Sequence, residues 1–310
     1  MGEALLHEPV RWLELSVSAP AEFADPLSYV FHRHGHGGVV IENNVGYSPD
    51  EGEAPLAPQV VIVRTFLPMD ATALERRAHI DLAVRLIAEV APVSVLRECE
   101  VDQKEWEEAW KSYFDILHVG RRIVICPSWR EYEPCEGEVV VLLDPGMAFG
   151  TGHHPTTRMC LEILERLMGP GMNVLDVGCG SAILSIAAAR LGATSVLGIE
   201  LDSIAAKVAK ANVAENHLSQ AIQVAHGTFP RVDVTAELWD IVVANISFNA
   251  LYEFSSSLVA AARPGGLIIT SGILKERQSE VAGFMAKVGA TLKIANEDGD
   301  WAALVFRVAV

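Results

Sequence analysis

The stretch that decides the fold is Val174-Leu175-Asp176-Val177-Gly178-Cys179-Gly180-Ser181, which leads into the helix-patterned run 183–190. An apolar strand that ends in glycines and opens directly into a helix is typical of doubly wound α/β folds. Because Gly178 and Gly180 have no side chain, a ligand can approach the backbone there, close to the amino end of the helix. The sequence therefore predicts a nucleotide-like ligand at this strand-to-helix turn.

The acidic residues around this turn indicate which ligand it holds. A second apolar strand, 195–199, ends in Glu200, at the distance where a carboxylate reaches a ribose hydroxyl pair in such folds. Asp176 precedes the first glycine, where a negative charge opposes a pyrophosphate but attracts the ammonium and sulfonium charges of S-adenosyl-L-methionine. We therefore predict S-adenosyl-L-methionine, in preference to a nicotinamide or flavin dinucleotide and to a purely structural glycine turn.

Composition narrows the class of protein. The chain has 310 residues, 50% of them hydrophobic, which is enough for two domains with their own cores. No apolar stretch approaches the roughly 18 residues of a membrane span, and no export signal is recognisable, so neither membrane insertion nor export is expected. The five cysteines form no Cys-x-x-Cys pair, so we predict neither disulfides nor a metal site, and we expect reduced thiols in the cytoplasm.

The charge balance bears on the partner. Forty acidic against 24 basic side chains give a formal charge of −16, a poor match to a phosphate backbone, so direct nucleic-acid binding is not expected. Two explanations of this charge stay open. It either keeps the protein in solution or helps to attract a basic protein substrate.

Residues 1–101 predict a small N-terminal domain with a ferredoxin-like α+β fold. Asp70 is the expected cap of its second helix, and the loop 43–58 is the expected mobile hairpin. A polar segment in which Trp106 and Trp110 lie four residues apart predicts a linker helix over 102–115. The predicted elements follow the order β-α-β-β-α-β: strands at 11–17, 38–42, 59–66 and 93–101, and helices at 22–34 and 70–90.

Residues 116–310 predict a Rossmann-like, doubly wound α/β domain. Helices and strands alternate from Pro155 onward, which implies a mostly parallel seven-stranded sheet covered on both faces. Two shorter strands, 122–126 and 138–143, precede it. The seven predicted strands lie near 173–178, 195–200, 221–225, 239–245, 266–271, 290–295 and 301–308.

Two more segments carry predicted chemistry. Pro155 is well placed to begin a helix, which puts Thr157 in its first turn, either to contact a ligand carboxylate or only to cap the helix. Asn245 ends the strand 240–245, where its amide oxygen can accept an amine N–H and orient the nitrogen for methyl transfer. The alternative for Asn245 is an Asx turn that caps the next helix.

Several side chains are predicted to surround these two residues. The apolar side chains expected to flank the amine are those of Phe149, Ile246 and Phe248. Three side chains are candidates for a general base: Asp144, His153 and His154.

Four segments together resemble the bacterial ribosomal protein L11 methyltransferase family: 143–157, Asp176–Ser181, Ala244–Ile246 and Ser271–Leu274. The resemblance implies the class I methyltransferase fold for residues 116–310. It further implies an S-adenosyl-L-methionine-dependent enzyme of class 2.1.1 that methylates lysine side-chain and N-terminal α-amines of ribosomal protein L11. It also implies that the N-terminal domain recognises the substrate. The family's cofactor contacts would fall on Thr157, Gly178, Glu200 and Asn245, and we add Asp176 and Gly180 from the turn itself.

This chain departs from the family at two positions of the cofactor half. The family usually has glycine where Ala182 stands, a change that is tolerable if this residue is already helical. It usually has aspartate where Glu200 stands, which has the same charge on a shorter side chain. Two other functions stay open: a methyltransferase of another protein or of a small-molecule amine, and a non-catalytic binding module of the translation machinery.

Overall fold

The fold is taken from a computed structural model, which describes residues 11–43, 60–101, 115–144, 150–230 and 239–310. The chain divides into two compact units, Met1–Phe114 and Asp115–Val310. The predicted linker helix lies outside the described residues except for Asp115, and the predicted hairpin loop does so except for Asn43. The domain boundaries at 101 and 116 therefore stay predictions.

The first unit has the predicted β-α-β-β-α-β order. Its sheet is arranged β2-β3-β1-β4 with antiparallel pairs, the strand order of a ferredoxin-like fold. Its core lies between this sheet and the helices and includes Leu15, Phe31, Val63 and Ile80. The elements are β1 (Trp12–Pro20), α1 (Ala24–His34), β2 (His36–Asn43), β3 (Val60–Pro68), α2 (Ala73–Ala88) and β4 (Arg97–Val101).

The predicted cap of α2 is wrong. The helix begins at Ala73 with Thr72 as its N-cap residue, not at Asp70. Asp70 Oδ1 instead accepts hydrogen bonds from the Thr72 N–H at 2.8 Å and the Thr72 hydroxyl at 2.7 Å. An aspartate that bonds to the backbone two residues ahead forms a turn, and this turn delays the start of the helix.

The second unit contains the predicted mostly parallel sheet. Its seven strands are arranged β10-β9-β8-β11-β12-β14-β13, and only β14 runs antiparallel to its neighbours. The strand order reverses between β8 and β11, the place where open α/β sheets bind ligands at the carboxyl ends of their strands. The strands are β8 (Asn173–Val177), β9 (Ser195–Glu200), β10 (Ile222–His226), β11 (Trp239–Asn245), β12 (Ala262–Leu274), β13 (Ala290–Asp298) and β14 (Trp301–Val308).

A three-stranded sheet precedes it in the chain, arranged β5-β6-β7. The strands β6 (Ile123–Pro127) and β7 (Val139–Leu143) were predicted, and the short β5 (Leu117–Val119) was not. The helices of this unit are α3 (Pro155–Leu167), α4 (Ile183–Arg190), α5 (Ser203–Glu215), α6 (Phe248–Ala261) and α7 (Gln278–Lys287).

Alternate residues of the central strands face two separate cores. Val174 and Val243 pack in a cluster with side chains of α3 and α4, whereas Leu175 and Val242 pack in a second cluster with α6 and α7. The sheet is therefore covered on both faces, as its nearly continuous apolar strands predict. Within the described ranges, none of the helices is long and apolar enough to cross a membrane.

Candidate active site

The turn after β8 requires glycine. Gly178 and Gly180 have φ angles of +73° and +55°, a region that residues with a side chain rarely adopt. A Cβ atom on Gly178 would also lie 2.6 Å from Ile246 Cγ2, just beyond β11. Both the backbone conformation and the close approach to Ile246 therefore account for this glycine.

Ile246 is held on its other side by the end of β12. Gly272 has a φ of +80°, and a Cβ atom there would collide with the Ile246 carbonyl oxygen. The preceding Ser271 donates from Oγ to the Thr156 carbonyl at 3.3 Å. The Ser271-Gly272 pair thus brings α3 and the end of β11 together.

The N–H groups of the glycine turn are bonded within the protein. Gly178 and Cys179 donate to the Ile199 carbonyl at 2.8 and 3.1 Å, and the Gly180 N–H donates to Glu200 Oε2 at 2.9 Å. A pyrophosphate site needs such groups to face the ligand. Because they face β9 instead, the geometry disfavours a dinucleotide.

Glu200 uses both carboxylate oxygens to join the glycine turn after β8 to the turn that follows β9. Oε2 accepts from Gly180, and Oε1 accepts from the Asp202 N–H at 2.9 Å. These bonds fix the half-buried carboxylate beside the glycine turn. Since a carboxylate has about four acceptor sites, the group can still accept from a pair of ribose hydroxyls.

Asp176 is buried with one oxygen unpaired. Ser185 donates from Oγ to Oδ2 at 2.6 Å, whereas Oδ1 has no hydrogen-bond partner. Burial, with a further contribution from the Glu200 charge, raises the pKa of Asp176 to about 7 although the Ser185 bond opposes the shift. A buried acceptor without a donor is costly, and the ammonium group of S-adenosyl-L-methionine is a donor of the kind that it lacks.

Helix α3 presents Thr157 at its amino end, as Pro155 predicts. His154 is the N-cap residue: its Nδ1 accepts the Thr156 N–H at 3.3 Å and lies 2.7 Å from Thr156 Oγ1. Thr157 is 1% exposed. Because His154 makes the cap, the alternative that Thr157 only caps the helix is wrong, and Nδ1 of the candidate base His154 is occupied by this cap.

Asn245, at the carboxyl end of β11, contacts Thr157 in the first turn of α3. Asn245 Nδ2 donates to Thr157 Oγ1 at 3.4 Å. Helix α6 is capped by Ser247, whose Oγ accepts the Ala250 N–H at 3.4 Å, so the alternative of Asn245 as a helix cap is wrong. The bond to Thr157 uses the amide nitrogen, and Asn245 Oδ1 keeps its capacity to accept a hydrogen bond.

These contacts join all the predicted cofactor residues at one edge of the sheet. Asn245 bonds to Thr157, the neighbouring Ile246 packs on Gly178, and Gly180 bonds to Glu200. Asp176 lies on β8 directly before this turn. The donor and acceptor types fit S-adenosyl-L-methionine: acceptors for ribose hydroxyls and an ammonium group, and a hydroxyl for a carboxylate.

Residues 11–309 match the family model described as "Ribosomal protein L11 methyltransferase (PrmA)". The chain belongs to this family. A relative from Chloroflexus aurantiacus with the name ribosomal protein L11 methyltransferase is 39% identical, over 97% of this chain and 99% of the relative. A relative of the same name from Herpetosiphon aurantiacus is 35% identical, over 97% of this chain and 100% of the relative.

A solved structure supports the same assignment. The ribosomal protein L11 methylase of Lactobacillus delbrueckii subsp. bulgaricus matches with a TM-score of 0.59 and 30% identity, covering 64% of this chain and 100% of that chain. Membership in the L11 methyltransferase family confirms the predictions of the fold class, of a class 2.1.1 methyltransferase and of S-adenosyl-L-methionine as its methyl donor.

Ala182 has a left-handed backbone. Its φ and ψ are 68° and 18°, and it precedes α4 as the N-cap residue without a side-chain hydrogen bond. The condition under which alanine would be tolerated at this position, that the residue is already helical, is therefore not met. For a residue with a Cβ atom, this conformation costs roughly 1–2 kcal/mol.

His153 stays a candidate for the general base. Desolvation of its ring by burial, and then the Arg158 charge, lower its pKa, which favours the neutral form that a base requires. Burial first, and then the charge of Asp176, raise the pKa of Cys179, which keeps this thiol protonated and unreactive.

Of the apolar side chains predicted to flank the amine, Phe149 lies outside the described residues. The ring of Phe248 lies under the Arg277 guanidinium, with its centroid 3.3 Å from Arg277 Cζ.

Sequence reasoning missed two asparagines, Asn212 of α5 and Asn216, the C-cap residue of that helix. Asn212 and Asn216 are 2% and 1% exposed, and their amides bond to the backbone of Asp144 and Leu142. The available signal was a pair of polar residues four positions apart on an alanine-rich helix face, where burial requires that each amide has partners.

Proposed function

We propose that this chain is an S-adenosyl-L-methionine-dependent protein N-methyltransferase that methylates lysine side-chain and N-terminal α-amines of ribosomal protein L11. The names of its full-length relatives support the substrate. The Asn245–Thr157 hydrogen bond carries the proposal, because it joins the residue assigned to the amine with a residue assigned to the cofactor.

We assign the cofactor to six residues. Thr157 binds its carboxylate, Asp176 its ammonium group and Glu200 its ribose hydroxyls, while Gly178 and Gly180 allow its close approach. When bound, S-adenosyl-L-methionine supplies a methyl group activated by the sulfonium. Asn245 takes part on both sides: its amide nitrogen bonds to Thr157, and its Oδ1 accepts a substrate N–H and so orients the nitrogen lone pair.

The acceptor nitrogen must first lose a proton. For a lysine amine with a pKa near 10.4, deprotonation at pH 7 costs about 4.6 kcal/mol, and for an α-amine with a pKa near 8 about 1.4 kcal/mol. Ile246, partly buried and next to Asn245 in the chain, provides an apolar surface. An amine desolvated there has a lower pKa, which reduces this cost.

Charge and compartment fit the proposal. A formal charge of −16 attracts a basic ribosomal protein over distance. The free thiols of Cys99 and Cys135 are exposed, as is usual for a protein of the reducing cytoplasm, where we place the reaction.

Transfer of a labelled methyl group to purified L11 tests the function. Asn245→Ala should lower kcat by about 100-fold, because it removes the group that orients the amine. The matched control is Asn173→Ala, at the opposite end of the sheet on β8, which should leave transfer unchanged. A wild-type enzyme that labels a small amine but not L11 would assign the activity to small molecules, and a folded protein that binds both partners without turnover would be a binding module.

A further inference from the structure

The edge strand β7 pairs with β6 on one side, and its backbone is also bonded by side chains where a further strand would otherwise pair. It lies at one end of the β5-β6-β7 sheet. Asn216 accepts from the Leu142 N–H at 3.0 Å and donates to the Leu142 carbonyl at 2.6 Å. Asn212 accepts from the Asp144 N–H at 3.0 Å and donates to the Asp144 carbonyl at 3.0 Å. Each amide therefore satisfies the backbone as a peptide group of a neighbouring strand would.

The two asparagines differ in their third hydrogen bond. Asn212 Nδ2 also donates to the Ser181 carbonyl at 2.9 Å, in the glycine turn. Asn216 Nδ2 donates instead to the Asn212 carbonyl at 2.8 Å, from the C-cap residue of α5 back to its last turn. Only Asn212, of these two, connects the end of β7 with the turn after β8.

The bond to Ser181 fixes the peptide group that leads into the strained residue Ala182. The peptide after Ser181 continues to Ala182, which has a left-handed backbone and whose N–H donates to the Cys179 carbonyl at 2.8 Å. A strained conformation persists only where its surroundings fix it from several sides. Asn212 fixes the carbonyl end of this peptide, and Glu200 fixes the Gly180 N–H just before it.

We propose that Asn212 is a positioning residue for the cofactor, which holds the Ser181 peptide so that the glycine turn keeps its binding conformation before the ligand arrives. A turn that is already ordered loses less conformational freedom on binding, and affinity rises accordingly. The inference rests on the assignment of this turn to S-adenosyl-L-methionine under the proposed function.

The test compares Asn212→Ala with Asn216→Ala by calorimetric titration with S-adenosyl-L-methionine. Both substitutions remove a buried amide that makes three hydrogen bonds, so both should lower the unfolding temperature to a similar degree. At a temperature where both variants are folded, Asn212→Ala should raise the Kd by about tenfold relative to Asn216→Ala. Hydrogen exchange in the ligand-free protein should be faster at the Ala182 amide in Asn212→Ala only.

The outcomes separate the inference from the function. Equal Kd values for the two variants, whether both match the wild type or both are weakened alike, would overturn the role of Asn212. A folded wild-type protein that does not bind the cofactor would overturn the proposed function itself. If an alanine variant does not fold, Asn212→Ser and Asn216→Ser replace the pair, because a hydroxyl and a water molecule can meet part of the freed backbone groups.

Discussion

Two successive strand-to-helix turns of the sheet, 178–182 after β8 and 201–202 after β9, are built in opposite ways. The first has positive φ angles at Gly178, Gly180 and Ala182, and the helix that follows has no side-chain cap. The second has Asp202 at a φ of −77°, and its side chain caps α5 by accepting from the Ile204 and Ala205 N–H groups. The second turn is therefore relaxed where the first is strained.

The carboxylates at the two strand ends differ in the same way. Asp176 is 0% exposed and has one unpaired oxygen, whereas Glu200 is half-buried and has a backbone donor on each oxygen. The satisfied turn also supports the strained one, through Glu200 and the Ile199 carbonyl. Unfavourable conformations and unpaired groups thus collect at the turn assigned to the ligand, where binding can compensate for them.

The largest expected effect comes from Asp176→Asn. In the folded protein the pKa of Asp176 is raised from 3.8 to about 7, so the folded state holds this proton more tightly than the unfolded state. Stability is therefore lost as the pH rises from near 4 through 7, by on the order of 4 kcal/mol at pH 8 and about 2 kcal/mol at pH 5. Asparagine has no proton to lose. The variant should therefore exceed the wild type in stability by a large margin at pH 8 and by a smaller margin at pH 5.

Urea unfolding at the two pH values measures this difference. Asp300→Asn is the control, because its carboxylate is exposed and its removal should leave the pH dependence of the wild type unchanged. Calorimetry should show weaker binding of S-adenosyl-L-methionine to Asp176→Asn, since the ammonium group loses its partner. A variant that is no more stable than the wild type at pH 8 would remove the contrast between the two carboxylates.

Glu200→Gln should have a smaller effect, because it changes the hydrogen bonds at both turns. Glutamine can accept only one of the N–H groups of Gly180 and Asp202, because its amide nitrogen is a donor. We expect cofactor affinity to fall about tenfold, or about 1.4 kcal/mol. The loss of the Glu200 charge should also lower the pKa of Asp176, so the stability lost between pH 5 and 8 should decrease.

The control for this change is Glu215→Gln, an exposed position at the end of α5. It removes the same charge from the same unit without touching either turn. If both variants bind the cofactor as the wild type does, Glu200 has no part in the site, and the second turn serves only its own helix.

The residues of the strained turn could be predicted from the sequence better than the residues that hold this turn in place. Apolar strands followed by glycines are a local pattern, and parallel strands end at one edge, so Asp176, Gly178 and Asn245 could be brought together before the structure was known. The partners of Asn212 are Asp144, 68 residues away, and Ser181, 31 residues away. Their pairing depends on where α5 packs, which no local pattern specifies.

The backbone conformation of individual residues is the second feature that could not be predicted from the sequence. Alanine strongly favours the right-handed helix, so Ala182 before a helical run predicts a helical residue. The tertiary contacts of the turn overrule this preference, and Ala182 becomes left-handed. At Asp70 the competition is local instead: the bond to Thr72 forms a turn, and this turn displaces the expected helix cap.

The smallest expected effect, Ala182→Gly, measures that strain directly. Glycine relieves roughly 1–2 kcal/mol of left-handed strain. It also loses a buried methyl group worth about 0.8 kcal/mol, and its greater freedom in the unfolded chain costs about 0.5–1 kcal/mol. These contributions nearly cancel, so the free energy of unfolding should change by less than about 1 kcal/mol.

Ala188→Gly supplies the comparison that isolates the strain. Ala188 is equally buried, at 0% exposed, but lies inside α4, where glycine loses the methyl group and the helical preference and relieves nothing. We expect this variant to be destabilised by about 2 kcal/mol, and the difference between the two substitutions is the strain at Ala182. Equal destabilisation of both would mean that Ala182 is not strained, and the first turn would then differ from the second in its unpaired carboxylate alone.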